Sequence, residues 1–146
     1  MKTVIIYEST HHGNTYKLVE AIAKKHSVDT INVENTNTAD LAGYDLIGFA
    51  AGIAFGKFYK NISAFAEKCL PEGKKVFLMY TCGKDSEKYT ASMKELAASK
   101  NCKVLGCYSC PGYDTFGPFK LIGGINRNHP TETEIAGAVS FFEKLI

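Results

Sequence analysis

Along the chain, short β-branched or wholly apolar runs alternate with longer stretches whose apolar residues recur every three or four positions. Thr3, Val4, Ile5, Ile6 and Tyr7 predict a buried strand over 3–7; Leu18, Val19, Ile22 and Ala23 predict a helix over 15–26. A shorter, half-polar run at 28–33 fits an edge strand. Residues 35–42 are polar, with Thr38 and Asp40 placed to cap one or two helical turns. Leu46, Ile47, Phe49 and Ala50 predict a third strand over 45–51, buried on both faces. Phe58, Ile62, Phe65, Ala66 and Cys69 share one side of a helix that stops at Pro71 and Gly73. Residues 76–81 read as a fourth strand, 86–100 as a helix with Tyr89, Met93, Leu96 and Ala97 inward, and 103–110 as a fifth strand. Residues 111–128 are rich in Gly, Pro and aromatics and predict irregular structure. Thr131 and Glu134 form a capping box that opens a last helix through Ile135, Ala138, Val139, Phe142 and Leu145.

Strands alternating with helices predict an α/β fold with an open, doubly wound, five-stranded parallel sheet and helices on both faces, because parallel strands need right-handed helical crossovers. At 146 residues, with no repeat, the expectation is a single domain over 1–146. Ligands in such sheets sit beyond the carboxyl ends of the strands. The loops to inspect are therefore those after strands one, three and four.

The first of these, Ser9-Thr10-His11-His12-Gly13-Asn14-Thr15, joins a strand to a helix and has the makings of a phosphate cradle. Free amides at a helix start point outward, the helix dipole places about half a positive charge there, and Ser9, Thr10 and Thr15 add hydroxyls. Gly13 lets the backbone approach an anion with no Cβ in the way. The alternative is that Asn14 or Thr15 simply caps the helix. No Lys or Arg lies inside the loop, which argues against the GxxxxGK[ST] loop of nucleoside triphosphatases, and the spaced glycines of a dinucleotide turn are absent.

Charge and cysteine content narrow the field. A formal net charge of +2, with no Lys/Arg stripe, argues against nucleic-acid binding. At 45% hydrophobic and 22% charged the chain reads as globular, not disordered. No signal-like leader and no apolar run long enough to span a membrane is present, so the expected location is cytoplasmic. Five cysteines without an export signal make a disulfide framework a poor fit. Cys102, Cys107 and Cys110 match three ligands of a plant-type iron–sulfur site, but a fourth is missing, and residues three apart on a strand point to opposite faces. They read better as buried small hydrophobes or a strand-end thiol, and no metal is expected.

The Ser-Thr-x-x-Gly-Asn-Thr segment before a helix resembles the phosphate loop of flavodoxins, and the five-unit layout resembles the flavodoxin fold, with strand order 2-1-3-4-5. The second loop, from Ala51 through Gly52-Ile53-Ala54-Phe55-Gly56-Lys57 to Phe58 and Tyr59, is similar to that of the flavodoxin-fold protoporphyrinogen oxidases. The resemblance implies bound flavin mononucleotide (FMN). Ser9, Thr10, His11, His12, Gly13, Asn14 and Thr15 would then surround the phosphate. Ala50, Ala51, Gly52, Ile53, Ala54, Phe55 and Gly56 would border one side of the isoalloxazine ring, and Thr81, Cys82, Gly83, Lys84 and Asp85 the other. The chain has no Trp, so Phe55 and Tyr89 take the stacking roles, with Phe58, Tyr59, Tyr113 and Phe116 in reserve. His12 stands where the family usually has Thr; His11 and His12 either hydrogen-bond the phosphate or face solvent. Asp85 either lies near the ring or caps the next helix.

Flavodoxins tend to be strongly acidic, whereas here Lys57, Lys60, Lys84 and Lys88 lie on or near the expected flavin rim, against Asp85 and Glu87. That predicts a less depressed flavin potential and an acidic partner. The functional expectation is an FMN-binding electron carrier between redox partner proteins, a monomer or weak dimer. No nucleophile–base–orienter set is visible, since His11, His12, His26 and His129 are scattered. Two alternatives stand: an FMN-dependent oxidoreductase of a small substrate, reductase or porphyrinogen-oxidase-like, and a flavin-free module of the same fold. The late insertion of the porphyrinogen-acting relatives has no room in this chain.

Overall fold

Alternation along the strands sorts the apolar residues into two layers. A computed structural model describes residues 1–10, 12–115 and 117–146; His11 and Phe116, expected near the phosphate and as a reserve aromatic, lie outside the described residues. The strands are β1 (Thr3–Glu8), β2 (Asp29–Asn32), β3 (Leu46–Ala54), β4 (Lys57–Phe58), β5 (Lys75–Cys82) and β6 (Lys103–Pro111). The helices are α1 (Asn14–Lys25), α2 (Lys60–Cys69), α3 (Ala91–Ser99) and α4 (Glu132–Glu143), with 3₁₀ turns at Glu87–Thr90 and Gly117–Ile122.

Val4 and Ile6, Ile47 and Phe49, and Val76 and Leu78 pack with Ile62, Phe65 and Ala66 of α2 and Met93 of α3. Ile5, Leu46, Ala50, Phe77 and Met79, facing the other way, pack with Leu18, Val19 and Ile22 of α1 and Ala138, Val139 and Phe142 of α4. Each such side chain, fully buried, stabilises the fold by roughly 1.5–3 kcal/mol relative to exposure. One close approach shows how the layers fit: a Cβ on Gly48 of β3 would stand 2.2 Å from the ring of Phe77 on β5. Only a glycine leaves room for that ring.

The sheet order is β2-β1-β3-β5-β6, all parallel, which is the expected 2-1-3-4-5 arrangement of five strands. β4 is an addition. It pairs antiparallel with the end of β3, Ile53 opposite Phe58 and Ala54 opposite Lys57. The two residues between, Phe55 (φ 53°) and Gly56 (φ 76°), both lie in the left-handed region, as a two-residue hairpin matching strand twist requires. The segment read as a plain loop is therefore a small hairpin standing above the sheet.

Two further expectations need correction. Residues 35–42 form turns and bends, not helix. Thr36 Oγ1 donates to the Thr38 carbonyl and Asp40 Oδ1 accepts the Ala42 amide, and such local bonds compete with helical ones. The helix expected over 86–100 begins as a 3₁₀ turn, with the Lys88 amide donating to Ser86 Oγ, and becomes α-helical only at Ala91. Residues 111–128 are mostly irregular, apart from the Gly117–Ile122 turn and a bridge between Asp114 and Ile125. On β6, Cys107 is exposed while Cys110 is buried against the α1/α4 layer, the opposite facing that their spacing implies.

Candidate functional site

The start of α1 leaves backbone donors uncovered. Gly13, at the N-cap, sits at φ 67° with nothing within 4 Å of where a Cβ would be, and contributes no side-chain cap. Ser9 Oγ accepts the Tyr16 amide at 2.9 Å, and the Lys17 amide returns to the Gly13 carbonyl at 3.3 Å. The amides of Asn14 and Thr15, first in the helix, have no acceptor within it. With the helix dipole they make an electropositive mouth beside the Ser9 hydroxyl. His12 also lies in the left-handed region (φ 59°), a conformation that costs a non-glycine residue about 1–3 kcal/mol and tends to be kept at functional loops.

Three neighbouring segments hold this loop in place. From β5, Thr81 Oγ1 meets Thr15 Oγ1 at 2.9 Å in the buried floor. From the turn before α2, the Tyr59 hydroxyl comes near the Thr10 side chain, and its ring lies so close over Gly52 that a Cβ there would stand 2.4 Å from its hydroxyl. From the segment after β6, Tyr113 stacks on the His12 ring at 4.1 Å between centroids, and Thr115 Oγ1 is 3.1 Å from His12 Nε2. The Tyr113 carbonyl accepts from Asn14 Nδ2 at 2.8 Å. Asn14 Oδ1 is left buried with no hydrogen-bond partner among the described residues. An orphaned buried acceptor beside the first amides of a helix fits a polar ligand.

Ser9, Asn14, Thr15, Gly52, Ile53, Tyr59, Thr81, Cys82, Gly83, Gly112, Tyr113 and Asp114 line a cleft at this end. It continues, through Ile53, Cys82, Gly83 and Asp114, into a wider hollow bounded by Phe55, Gly56, Lys84, Tyr89 and Phe119. This outer part has a volume of about 310 Å³, at the small end of the usual range for small-molecule sites. One end is polar and rich in amides; the other lies between a hairpin and a turn and is flanked by three aromatic rings.

Burial holds two groups at the site, Cys82 and Tyr80, in their neutral forms. Burial, with the Asp85 and Asp114 carboxylates nearby, pushes the Cys82 thiol up to about 12, so it lines the cleft as an uncharged group. Burial and a hydrogen bond to Asp85 likewise raise Tyr80. Asp85 accepts from the Tyr80 hydroxyl at 2.5 Å, the Ser86 amide at 2.7 Å and Ser109 Oγ at 3.0 Å, so its carboxylate closes its own turn. Among the described residues no three His, Cys, Asp or Glu side chains cluster closely enough to hold a metal ion.

Of the residues singled out by sequence, Ser9, Asn14, Thr15, Gly52, Ile53, Phe55, Gly56, Thr81, Cys82, Gly83, Lys84 and Tyr89 line the cleft. Thr10, His12 and Gly13 belong to the loop that bounds it. Ala50 and Ala51 lie beneath, in the two core layers, while Ala54 serves the hairpin and Asp85 the turn. Phe58 is core, packed on Tyr80. Gly112, Asp114 and Phe119 are additions. Their segment has no periodicity, and only its aromatic and glycine content hinted at a role.

The chain matches the family model described as "Flavodoxin domain" over residues 4–111. It is 38% identical to an uncharacterised protein of Methanocaldococcus jannaschii, covering 100% of this chain and 99% of that protein. Among solved structures it resembles oxidised flavodoxin 1 from Bacillus cereus (TM-score 0.70, 17% identity, 100% and 99% of the two chains). It also resembles a Lactobacillus acidophilus flavoprotein in complex with FMN (TM-score 0.59, 18% identity, 74% and 92%). The chain belongs to the flavodoxin family, and its strand order and helical layers are those of the flavodoxin-like fold. No helix among the described residues is long and apolar enough to cross a membrane.

Proposed function

We propose that this chain, acting as one flavodoxin-like domain, holds FMN in the cleft and passes electrons between redox partner proteins. The observation that carries the reading is the cleft's two-ended chemistry: uncovered helix amides at one end, an aromatic-flanked hollow at the other, on the switch point between β1 and β3. The residues fit the group. The Asn14 and Thr15 amides and the Ser9 hydroxyl suit a phosphate ester. Asn14 Oδ1, the orphaned acceptor, suits a hydroxyl of the polyol chain. Ile53, Phe55, Tyr89 and Phe119 give a tricyclic ring apolar surroundings.

When bound, FMN supplies the capacity to take up and release one or two electrons. The chain's own residues bind, orient and exclude water. Lys84, the charged side chain from the β5 turn at the ring end, favours negative charge there. Cys82, held neutral by burial, adds none against it. Asp85 is bound into its turn, so Asp114, which lines the hollow, is the carboxylate that an acid–base enzyme of a small substrate would have to use.

Titration of the apoprotein with FMN and with riboflavin tests the reading. A strong preference for the phosphate ester is expected, and equal affinity would overturn the cradle. Reduction at equilibrium should resolve into separate one-electron waves; steady turnover of a small donor would favour the enzyme instead.

A further inference from the structure

The outer end of the cleft carries a surface that flavin binding does not account for. Phe55 stands fully exposed at the tip of the β3–β4 hairpin, and Leu121 and Ile122, in the 3₁₀ turn that also carries the cleft residue Phe119, are 88% and 73% exposed. Large apolar side chains in water are unremarkable singly, but here Phe55 lines the hollow and Leu121 and Ile122 follow within three residues of Phe119, which lines it too. Leu121 and Ile122 do not line the hollow, so a partner surface can cover them together with the outer side of Phe55.

Lysines outnumber carboxylates around them, four to three. Lys84 lines the hollow, and Lys57, Lys88 and Lys120 each adjoin a residue that does: Gly56, Tyr89 and Phe119 respectively. All four are exposed, and among the described residues none forms an ion pair. Four other lysines are engaged within the fold. Lys24 and Lys25 pair with Glu20 and Glu143, and Lys74 and Lys100 donate to main-chain carbonyls. The acids beside the rim are Asp114, which lines the hollow, Asp85, which accepts from Tyr80 and Ser109, and Glu87.

We infer that this lysine-ringed apolar rim docks an acidic redox protein, whose carboxylates meet Lys57, Lys84, Lys88 and Lys120 while its apolar centre covers Phe55, Leu121 and Ile122. The inference rests on the electron-carrier reading for the partner's redox character, and on the rim alone for its charge. Complementary potentials of this kind act mainly on the association rate and are weakened by salt.

The test follows association of the full chain with two probes, an acidic plant-type [2Fe–2S] ferredoxin and the basic mitochondrial cytochrome c. Association with the ferredoxin should be faster by at least about tenfold at low salt, and should slow by a similar factor as salt rises to about 0.5 M. The triple variant Lys57→Glu, Lys88→Glu, Lys120→Glu, all outside the cleft lining, should remove that advantage while FMN content and far-UV dichroism stay unchanged. A rate equal for both probes, or untouched by the variant, overturns the proposal. So does uptake by phosphatidylglycerol vesicles with no ferredoxin association, which assigns the rim to a membrane surface, or displacement of the ferredoxin by millimolar pyrophosphate at constant ionic strength, which assigns it to a small anion. The apoprotein carries the same lysines, so salt-sensitive association without FMN binding would sink the cofactor reading and leave the docking surface standing.

Discussion

Thr15 and Thr81 meet hydroxyl to hydroxyl at 2.9 Å, joining the first turn of α1 to the carboxyl end of β5 across the floor of the cleft. Both residues are buried, at 1% and 4% exposure, so neither hydroxyl can turn to water instead. The pair fixes the distance between the amide-rich loop and the turn that borders the ring end.

Replacing one partner alone, Thr81→Val, strands the Thr15 hydroxyl and should cost about 1–3 kcal/mol of stability, whereas the double variant Thr15→Val, Thr81→Val should recover much of that loss. Urea unfolding of the four proteins in a double-mutant cycle measures the coupling. Additive losses would mean that the two hydroxyls do not support one another.

Legibility from sequence tracks how local each interaction is. The capping box was readable because Thr131 and Glu134 are three residues apart: the Glu134 amide donates to Thr131 Oγ1 at 3.2 Å and Glu134 Oε1 accepts the Thr131 amide at 2.8 Å. The parallel, doubly wound sheet followed from the alternation of apolar runs, and its strand order from the resemblance of the five-unit layout to the flavodoxin fold. The hairpin was hidden because its turn is Phe55-Gly56, with a bulky aromatic where Asn or Asp would announce φ above zero. The closing of the cleft by residues 112–115 was hidden more deeply. Asn14 and Tyr113 are 99 residues apart, and a side-chain bond to a carbonyl in an irregular segment leaves no periodic trace.

Gly52→Ala tests the contact between β3 and Tyr59. The new Cβ would stand 2.4 Å from the Tyr59 hydroxyl and 2.5 Å from Cζ, so the ring must move off. A stability loss of about 1–3 kcal/mol is expected from overpacking. Adding Tyr59→Ala should make the second substitution cheaper than it is in the native background. Denaturant midpoints decide it, and a Gly52→Ala protein as stable as the parent would show that the ring yields freely.

Stability should fall on the alkaline side. Burial, then the Glu134 carboxylate and Cys82, raise the Cys110 thiol to about 12, while an unfolded chain has it near its ordinary value of 9.0. The protonated form is favoured by folding, so this contribution is complete below pH 9 and is lost as the pH rises towards 12, at no more than about 1.4 kcal/mol per pH unit. Cys82 adds a contribution of the same sign. Urea midpoints at pH 8, 9 and 10 should decline in the parent and decline less steeply in Cys110→Ala; because the slope is compared, the cavity left by alanine does not confuse the reading. Parallel slopes would mean that the thiol ionises alike in both states.

Asn14 is the residue through which the phosphate end can be tested without disturbing the fold's core. Its amide nitrogen donates to the Tyr113 carbonyl at 2.8 Å, and Asn14→Asp keeps the shape while setting an oxygen against that carbonyl and a negative charge beside the helix amides. The charge opposes a phosphate dianion far more than a neutral polyol. The dissociation constant for FMN should therefore rise by about 10- to 100-fold, that for riboflavin by much less, and the preference between them should shrink accordingly. Asn14→Ala supplies the control: it loses the bond to Tyr113 without adding charge, so it should weaken both ligands more evenly. If aspartate and alanine weaken FMN equally, and leave the FMN-to-riboflavin ratio at its native value, the ester does not sit at the start of α1.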